Sequence, residues 1–493
     1  MTEIDRRLYA AVQVRELDRR AIEEHGIPGY ALMCRAAAAA WNAARDRWPQ
    51  ARSVVVVAGS GNNGGDGYEI ARLARQAGCA VRVCAVDARA STGDAVTARA
   101  AWLELGSIEL YQDLDAAYFD ADLIVDAIFG TGLARPPQGA ALAAIESIGR
   151  ARKAGAVVLA VDIPSGLHAD TGAALGGAVQ ADLTVTFIGR KLGLHTGEGP
   201  AYCGRIVFDG LDVPASVYDK MTPLATLLDA HCLRAWLPPR RRTAHKGNNG
   251  HVLIVGGDAG TAGASLLAAR AALHAGAGLV SVATRAAHAG LLTAAQPELM
   301  CRGAESAGEL QTLIGRADVV AVGPGLGQSD WGRMACGEVL ASGKPLVVDA
   351  DALNLLAQNP QQQDHWVLTP HPGEAGRLLG ISTAAVQADR VAAARLLHQR
   401  FGGVALLKGA GTLVQGVELS LCPYGNPGMG VGGMGDALTG ITAAFLSQGL
   451  DAETAANAAA LAHALAGDRA AADGERGLLP SDLIEALRAI VNP

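Results

Sequence analysis

Aromatic side chains are scarce: Phe, Tyr and Trp make up 4% of the 493 residues. Ala, Val and Leu must therefore fill the interior. No apolar run reaches about 18 residues, so no membrane span is expected. The eight cysteines (34, 79, 84, 203, 232, 301, 336 and 422) contain no CxxC pair. A zinc ribbon and a disulfide framework are thereby excluded, and free, mostly buried thiols in a reducing cytosol are expected. No basic excess exists: the formal net charge is −7, without the electrostatic footprint of a nucleic-acid binder. The N-terminal MTEIDRRLYAAVQVRELDRR lacks an apolar h-region, so no secretory signal is expected and the location should be cytoplasmic. A GxxxxGK[ST] phosphate loop is absent everywhere.

What is present points to large cores. Hydrophobic residues account for 50% and charged residues for 18%, which suits roughly two to four folded domains. Residues 6–48 carry a helical pattern, with Val14, Leu17, Ala21 and Ile22 on one face and a break at Gly26-Ile27-Pro28-Gly29. Strands and helices then alternate. SVVVVAG, AVRVCAV, ADLIVDAIFGTG, AVVLAVDIPSG and DLTVTFIG are nearly continuous apolar strands, and YEIARLARQAG is a helix. Strands buried on both faces between helices imply a parallel, doubly wound α/β sheet. Ligands bind such sheets at the carboxyl ends of the strands, so the polar residues there are the candidates.

In the first half, Gly59, Gly61 and Gly64 satisfy GxGxxG, with Asp87 near the end of the next strand. Alone, this pattern would read as a dinucleotide-dependent dehydrogenase. The string GNNGGDG also carries Asn62, Asn63 and Asp66, a poor lining for a tight pyrophosphate turn and a better one for a cation with hydroxyl or amide recognition. Asp126, Asp162 and Ser165 close strands on the same sheet edge. Each alone could be an Asx-turn or a cap; together they suggest a site. GSGNNGGDG, VDAIFGTGL and VDIPSGLHADTG, in this order after a helix pair, resemble the NAD(P)H-hydrate epimerase family over roughly residues 1–215. The resemblance implies a potassium ion on Asn63, Asp126 and Ser165. It implies nucleotide contacts from Asn62, Asn63, Gly64, Gly65 and Asp66. Gly130, Thr131, Gly132, Leu133, Ala134, Arg135 and Pro136, with Asp162, would complete that site. Asp162 is the candidate acid/base for inverting C6 of the hydrated ring, or a purely positional group.

The α/β rhythm stops after GRIVFDGLDVP, and a Pro-containing stretch with Arg240-Arg241-Arg242 follows. The join is expected near residue 220, giving domains 1–220 and 221–493. The basic triplet reads as a solvated segment. A second αβ series begins at HVLIVGG and runs through GLVSVAT, DVVAVGPGLG, KPLVVDADALNLL, HWVLTPHPGE and VALLKGAGTLV to three long C-terminal helices.

The glycine-rich GNPGMGVGGMGDALTG, Gly425 to Gly440, leads into the first of these helices. Glycine N–H groups and a helix start form an anion site. Asp436 sits inside it, where a carboxylate repels phosphate. It reads either as a helix cap or as a general base acting while a substrate hydroxyl attacks a phosphoryl group. KGAGT (Lys408, Gly409, Ala410, Gly411, Thr412) could be a hairpin turn or a nucleotide contact. GPGLG permits close backbone approach, TPHPGE fixes His371 between prolines, and DADAL offers Asp349 and Asp351 for magnesium.

HKGNNGHVLIVGG, GPGLG, DADALN, TPHPGE, KGAGT and NPGM..GG.GD in this order resemble the ribokinase-like superfamily, and within it the ADP-dependent NAD(P)H-hydrate dehydratases. The resemblance implies that Lys408, Gly409, Ala410, Gly411, Thr412 and Gly435 bind the adenine nucleotide. Ala264, Gly325, His371 and Asp436 would contact the hydrate, with Asp436 as base. The sequence departs from the family pattern at GGDAGTAGA and at Val431 and Met434. The expected fold is thus α/β with two doubly wound domains: an N-terminal Rossmann-like three-layer sandwich and a C-terminal ribokinase-like domain. The expected activity is repair of hydrated NADH and NADPH: R/S epimerisation using K⁺, then ADP-dependent dehydration of the S hydrate using Mg²⁺. The alternative is a small-molecule kinase with a non-catalytic N-terminal ligand-binding module. A homo-oligomer is expected, with neither nucleic acid nor membrane as partner.

Overall fold

The computed structural model describes residues 4–86, 93–114 and 116–493. Asp87 lies outside the described residues. The chain divides into two compact units, residues 1–226 and 227–493.

The N-terminal unit is built on a seven-stranded parallel sheet. Its spatial order is Glu109–Leu110, Ala80–Ala85, Ser53–Ala58, Leu123–Ala127, Val157–Val161, Leu183–Phe187 and Arg205–Asp209. The strand order reverses between Ser53–Ala58 and Leu123–Ala127, which pair in parallel with Val57 beside Asp126. A ligand crevice forms outside the strand ends at such a reversal. The two central strands are buried along nearly their whole length, so their near-continuous apolar sequences follow from burial on both faces.

Two local features differ from the sequence expectation. The N-terminal helix starts at Ala11, because Arg7–Tyr9 is a strand. Leu8 pairs antiparallel with Ala225 and in parallel with Arg190. Ile22, expected on the buried face with Val14, Leu17 and Ala21, is 38% exposed, whereas those three are buried. The second difference is at NNGGDG. It is not a loop before a helix; the helix itself runs Asn62–Gln76. Glycine permits this because a Cβ at Gly64 would lie 2.0 Å from the Gly59 carbonyl oxygen. The first turns of the helix therefore press against the strand-end loop, and backbone occupies space that a side chain would otherwise fill.

The C-terminal unit has the same reversal. Its strands run Met300–Gly303, Leu279–Thr284, His251–Val255, Val319–Val322, Leu346–Val348, Trp366–Leu368 and Val404–Leu407, all parallel. Thr412–Gln415 and Leu419–Cys422 extend it antiparallel. KGAGT is thus the turn of a hairpin, as one of its two readings required. The helices Met434–Ser447, Ala452–Ala470 and Pro480–Ile490 end the chain. Of the apolar positions at helical spacing, Ala437, Leu438, Ile441 and Phe445 are buried and Leu446 is half-buried. All eight cysteines are free thiols, seven of them buried. Among the described residues no helix is long and apolar enough to cross a membrane.

Candidate active sites

The N-terminal unit holds a cavity of about 870 Å³ at its strand reversal. Asn62, Asn63 and Asp66 line it from the Asn62–Gln76 helix, residues 130–136 from the loop after Leu123–Ala127, and Asp162 from the end of Val157–Val161. Gly64 and Gly65, expected among the ligand contacts, lie buried behind this wall.

Asp126 and Ser165 sit beneath the cavity wall, 0% and 1% exposed. The Ser165 hydroxyl donates to Asp126 Oδ1 at 2.6 Å, and the Ser165 N–H donates to Oδ2 at 2.7 Å. The Phe129 N–H donates to Ser165 Oγ at 2.9 Å. Burial pushes the Asp126 carboxyl up to about 6, and only hydrogen bonds from Ser165 and Ile128 oppose that push. A buried carboxylate without a cationic side chain against it favours a bound cation. Asn63 is 8% exposed and lies against Gly130, where an added Cβ would be 3.5 Å from Asn63 Oδ1. Its buried Nδ2 has no hydrogen-bond partner. Carboxylate, hydroxyl and amide oxygens are donors of the kind a hard monovalent ion takes.

Asp162 adopts a left-handed backbone at φ 67°, unusual for a residue with a side chain. Its N–H donates to Val185 O at 2.7 Å. Its Oδ1 accepts from Thr186 Oγ1 at 3.2 Å and forms a close ion pair with Lys191. Lys191 is 1% exposed, and its ammonium also reaches Thr186 Oγ1 at 3.0 Å and Phe187 O at 3.2 Å. Lys191 and Asp18 both line the cavity, and the sequence motifs identified neither. Burial pushes Asp18 up to about 7, the Lys191 charge opposing it.

In the C-terminal unit the loops after His251–Val255 and Val319–Val322 are tied together. The Asp258 N–H donates to Gly325 O at 2.7 Å, as does Thr261 Oγ1. This brings Ala264 beside Gly325, where an added Cβ would lie 3.1 Å from the Ala264 Cβ. His371 caps the Pro372–Leu379 helix. Its Nδ1 accepts from the Gly373 N–H at 2.9 Å, leaving Nε2–H to face Glu374 Oε1 at 3.4 Å. Burial holds the imidazole below its ordinary value, against the Glu374 charge.

Asp349, weighed above as a magnesium ligand, is committed elsewhere. Its carboxylate takes the Lys408 ammonium at 2.8 Å and the Thr439 hydroxyl at 2.7 Å. Asp351 Oδ2 accepts from the Gly327 N–H at 2.9 Å. Among the described residues no three His, Cys, Asp or Glu side chains gather as a metal site.

Asp436 stands in the first turn of Met434–Ser447 and is half-buried. Burial pushes its carboxyl up to about 7, reinforced by the Asp349 charge and opposed by Lys408. Gly435 makes the cluster possible, since a Cβ there would lie 3.1 Å from Lys408 Nζ. Two supporting residues lie outside the motifs. His463 hydrogen-bonds the Met434 carbonyl at 2.9 Å, and burial holds it neutral at about 4. Arg390 is 1% exposed and donates to Leu407 O at 3.3 Å and Lys408 O at 3.2 Å.

The chain is similar to known proteins. The NAD(P)H-hydrate dehydratase family model matches residues 252–489, and that of the YjeF-related protein N-terminus matches residues 29–193. A bifunctional NAD(P)H-hydrate repair enzyme from Coxiella burnetii is 46% identical over 492 residues, covering 99% of both chains. One from Escherichia coli is 45% identical over 490 residues, covering 99% of this chain and 94% of that one. Among solved structures, a ribokinase-like superfamily protein from Enterococcus faecalis superposes with a TM-score of 0.51 at 30% identity, covering 54% of this chain and 95% of that one. With a strand reversal in each unit, a buried oxygen-lined pocket in the first and an acid at a glycine-rich helix start in the second, this chain belongs to the family of bifunctional NAD(P)H-hydrate repair enzymes.

Proposed function

We propose that the N-terminal unit interconverts the R and S hydrates of NADH and NADPH, and that the C-terminal unit consumes the S hydrate with ADP. The observation that carries the second half is Asp436, whose carboxyl titrates near neutrality at the mouth of a glycine-rich helix start. A base works best when its pKa lies near the operating pH. Asp436 takes the proton of the C6 hydroxyl as that oxygen attacks the terminal phosphoryl of ADP. The phosphate ester then leaves with help from the ring nitrogen, giving NAD(P)H, AMP and phosphate. Lys408, between Asp349 and Gly435, faces the charge that develops on the phosphoryl oxygens. Mg²⁺, carried on the nucleotide phosphates, would neutralise the same oxygens. Lys408 and Gly409 to Thr412 hold the nucleotide, while Ala264, Gly325 and His371 hold the hydrate.

In the N-terminal unit, Asn63, Asp126 and Ser165 would hold K⁺, which supplies a fixed positive charge beneath the nucleotide. Asn62, Asp66 and residues 130–136 orient the substrate, and Asp162 exchanges a proton at the C6 hydroxyl. The assignment of the two activities to residues 1–220 and 221–493 rests on the separate sites. A homo-oligomer is part of the same reading. Incubation of mixed hydrate epimers with ADP tests it: full recovery of reduced-nicotinamide absorbance is expected. A phosphorylated alcohol accumulating in place of AMP and phosphate would establish the kinase alternative.

A further inference from the structure

The N-terminal cavity contains more proton-active groups than one acid/base residue requires. Asp18, Asp66, Asp94, Asp162 and Lys191 all face it, from the Ala11–Arg19, Asn62–Gln76 and Asp94–Leu103 helices, the end of Val157–Val161 and the short strand Arg190–Lys191, and Arg15 and Arg135 line it as well. Lys191 is bonded to one of these carboxylates, Asp162. We propose that Asp162 and Asp66 form a two-group relay, Asp162 as base and Asp66 as acid, with Lys191 as the positioning residue that fixes which is which. The inference deepens the epimerase reading above and rests on it.

The geometry separates the roles. Asp162 is anchored through its N–H to Val185 O, through Oδ1 to Thr186 Oγ1, and through the ammonium of a fully buried lysine. The ammonium fixes the orientation of the Asp162 side chain. Among the described residues Asp66 has no such partner. Burial raises it well above the ordinary carboxylate range, Asp162 and Asp18 raise it further, and Lys191 and Glu69 act more weakly in opposite senses. One carboxyl group tied to an ammonium and one raised by burial stand in different environments of one cavity, which lets them divide the acid and base roles.

The chemistry balances without a co-reactant. C6 of the hydrate carries a hydroxyl and the ring nitrogen, so it is a hemiaminal. Asp162 removes the hydroxyl proton, and the oxygen lone pair closes a C6=O bond. The C6–N1 bond breaks, its electron pair goes to N1, and Asp66 delivers a proton there. Rotation about the C5–C6 bond turns the other aldehyde face to N1. Reclosure reverses both proton transfers and gives the opposite epimer, with the hydroxyl oxygen retained.

The test uses the full-length protein without ADP, following R-to-S conversion by chiral separation as a function of pH. Dehydration of pure S hydrate with ADP serves as the check on folding. Wild type should show a bell-shaped kcat/KM. Asp66→Asn should lower the rate about 10²-fold or more and remove the alkaline limb. Lys191→Met should move the acidic limb to higher pH, and Lys191→Arg, which keeps the charge if Met does not fold, should restore it. Both limbs persisting in Asp66→Asn overturns the relay while leaving the epimerase reading intact; no interconversion by wild type sinks that reading instead. Loss of the alkaline limb in Asp18→Asn but not in Asp66→Asn also overturns the assignment. Incorporation of ¹⁸O from water on every turnover rejects ring opening.

Discussion

Lys408 Nζ lies 2.8 Å from Asp349 Oδ1 and 3.8 Å from Glu374 Oε2. The Asp436 charge also acts on this ammonium. One cation thus faces three carboxyl groups, so the pocket is electronegative where the proposed diphosphate would enter. ADP should therefore bind far better as its magnesium complex than alone. Calorimetric titration with and without Mg²⁺ checks this, and equal affinity in EDTA would contradict it.

Asp436→Asn keeps the size of the side chain and removes its basicity. Single-turnover dehydration of S hydrate should fall about 10²- to 10⁴-fold, roughly 3 to 5 kcal/mol of transition-state stabilisation. ADP affinity should stay equal or tighten. In wild type the working form is the ionised carboxylate, and the group titrates at about 7. Dehydration should therefore rise with pH through neutrality and flatten above about 8. A loss within threefold of wild type would return Asp436 to a helix-capping role.

Potassium should matter through Asp126. Its folded value of about 6 is raised by burial, so it contributes stability that is full below the unfolded value of roughly 4. That contribution is lost as pH rises through 6. A bound cation offsets the loss, so K⁺ should raise the melting temperature of the N-terminal unit more at pH 8 than at pH 5. Asp126→Asn should abolish that K⁺ effect and epimerisation, leaving S-hydrate dehydration unchanged. Retained epimerisation in this variant would remove the ion site.

Arg390 should support the KGAGT turn from below. Arg390→Met leaves the Leu407 and Lys408 carbonyls without the guanidinium donors they now have. An unmade bond to a buried polar group costs about 1–3 kcal/mol, so the C-terminal unit should melt several degrees lower. The KM for ADP should rise more than that for the hydrate, and Arg390→Lys should recover part of it. Equal changes in both KM values would show a general destabilisation instead.

Both sheets could be read from the sequence because their central strands are apolar along their length, and the switch-point rule then pointed to the strand ends where both candidate sites lie. Asn63, Asp126 and Ser165 could be singled out because they stand in motifs at or just after apolar strands, and the structure buries all three. Lys191 could not: it is one basic residue in IGRKLGLH, and only the tertiary fold brings its amine to Asp162. Asp18 was hidden in an amphipathic helix, where a charge looks like solvent-facing surface. Arg7–Tyr9 was misread as helix because the partners that make it a strand lie about 180 and 220 residues further along. The glycines of NNGGDG read as a loop because helix propensity disfavours them, while close packing against Gly59 requires them.

That long-range strand also sets an order of assembly during synthesis. Leu8 sits between Arg190 and Ala225, so the segment leading into the Ala11–Arg19 helix gains its last neighbour only when residue 225 has left the ribosome. Asp18 is therefore among the first acids of the cavity to be made and among the last to be fixed. Nascent chains arrested before residue 225 should hold a formed central sheet yet remain open to protease near residues 7–19, and release of the next few residues should close that window.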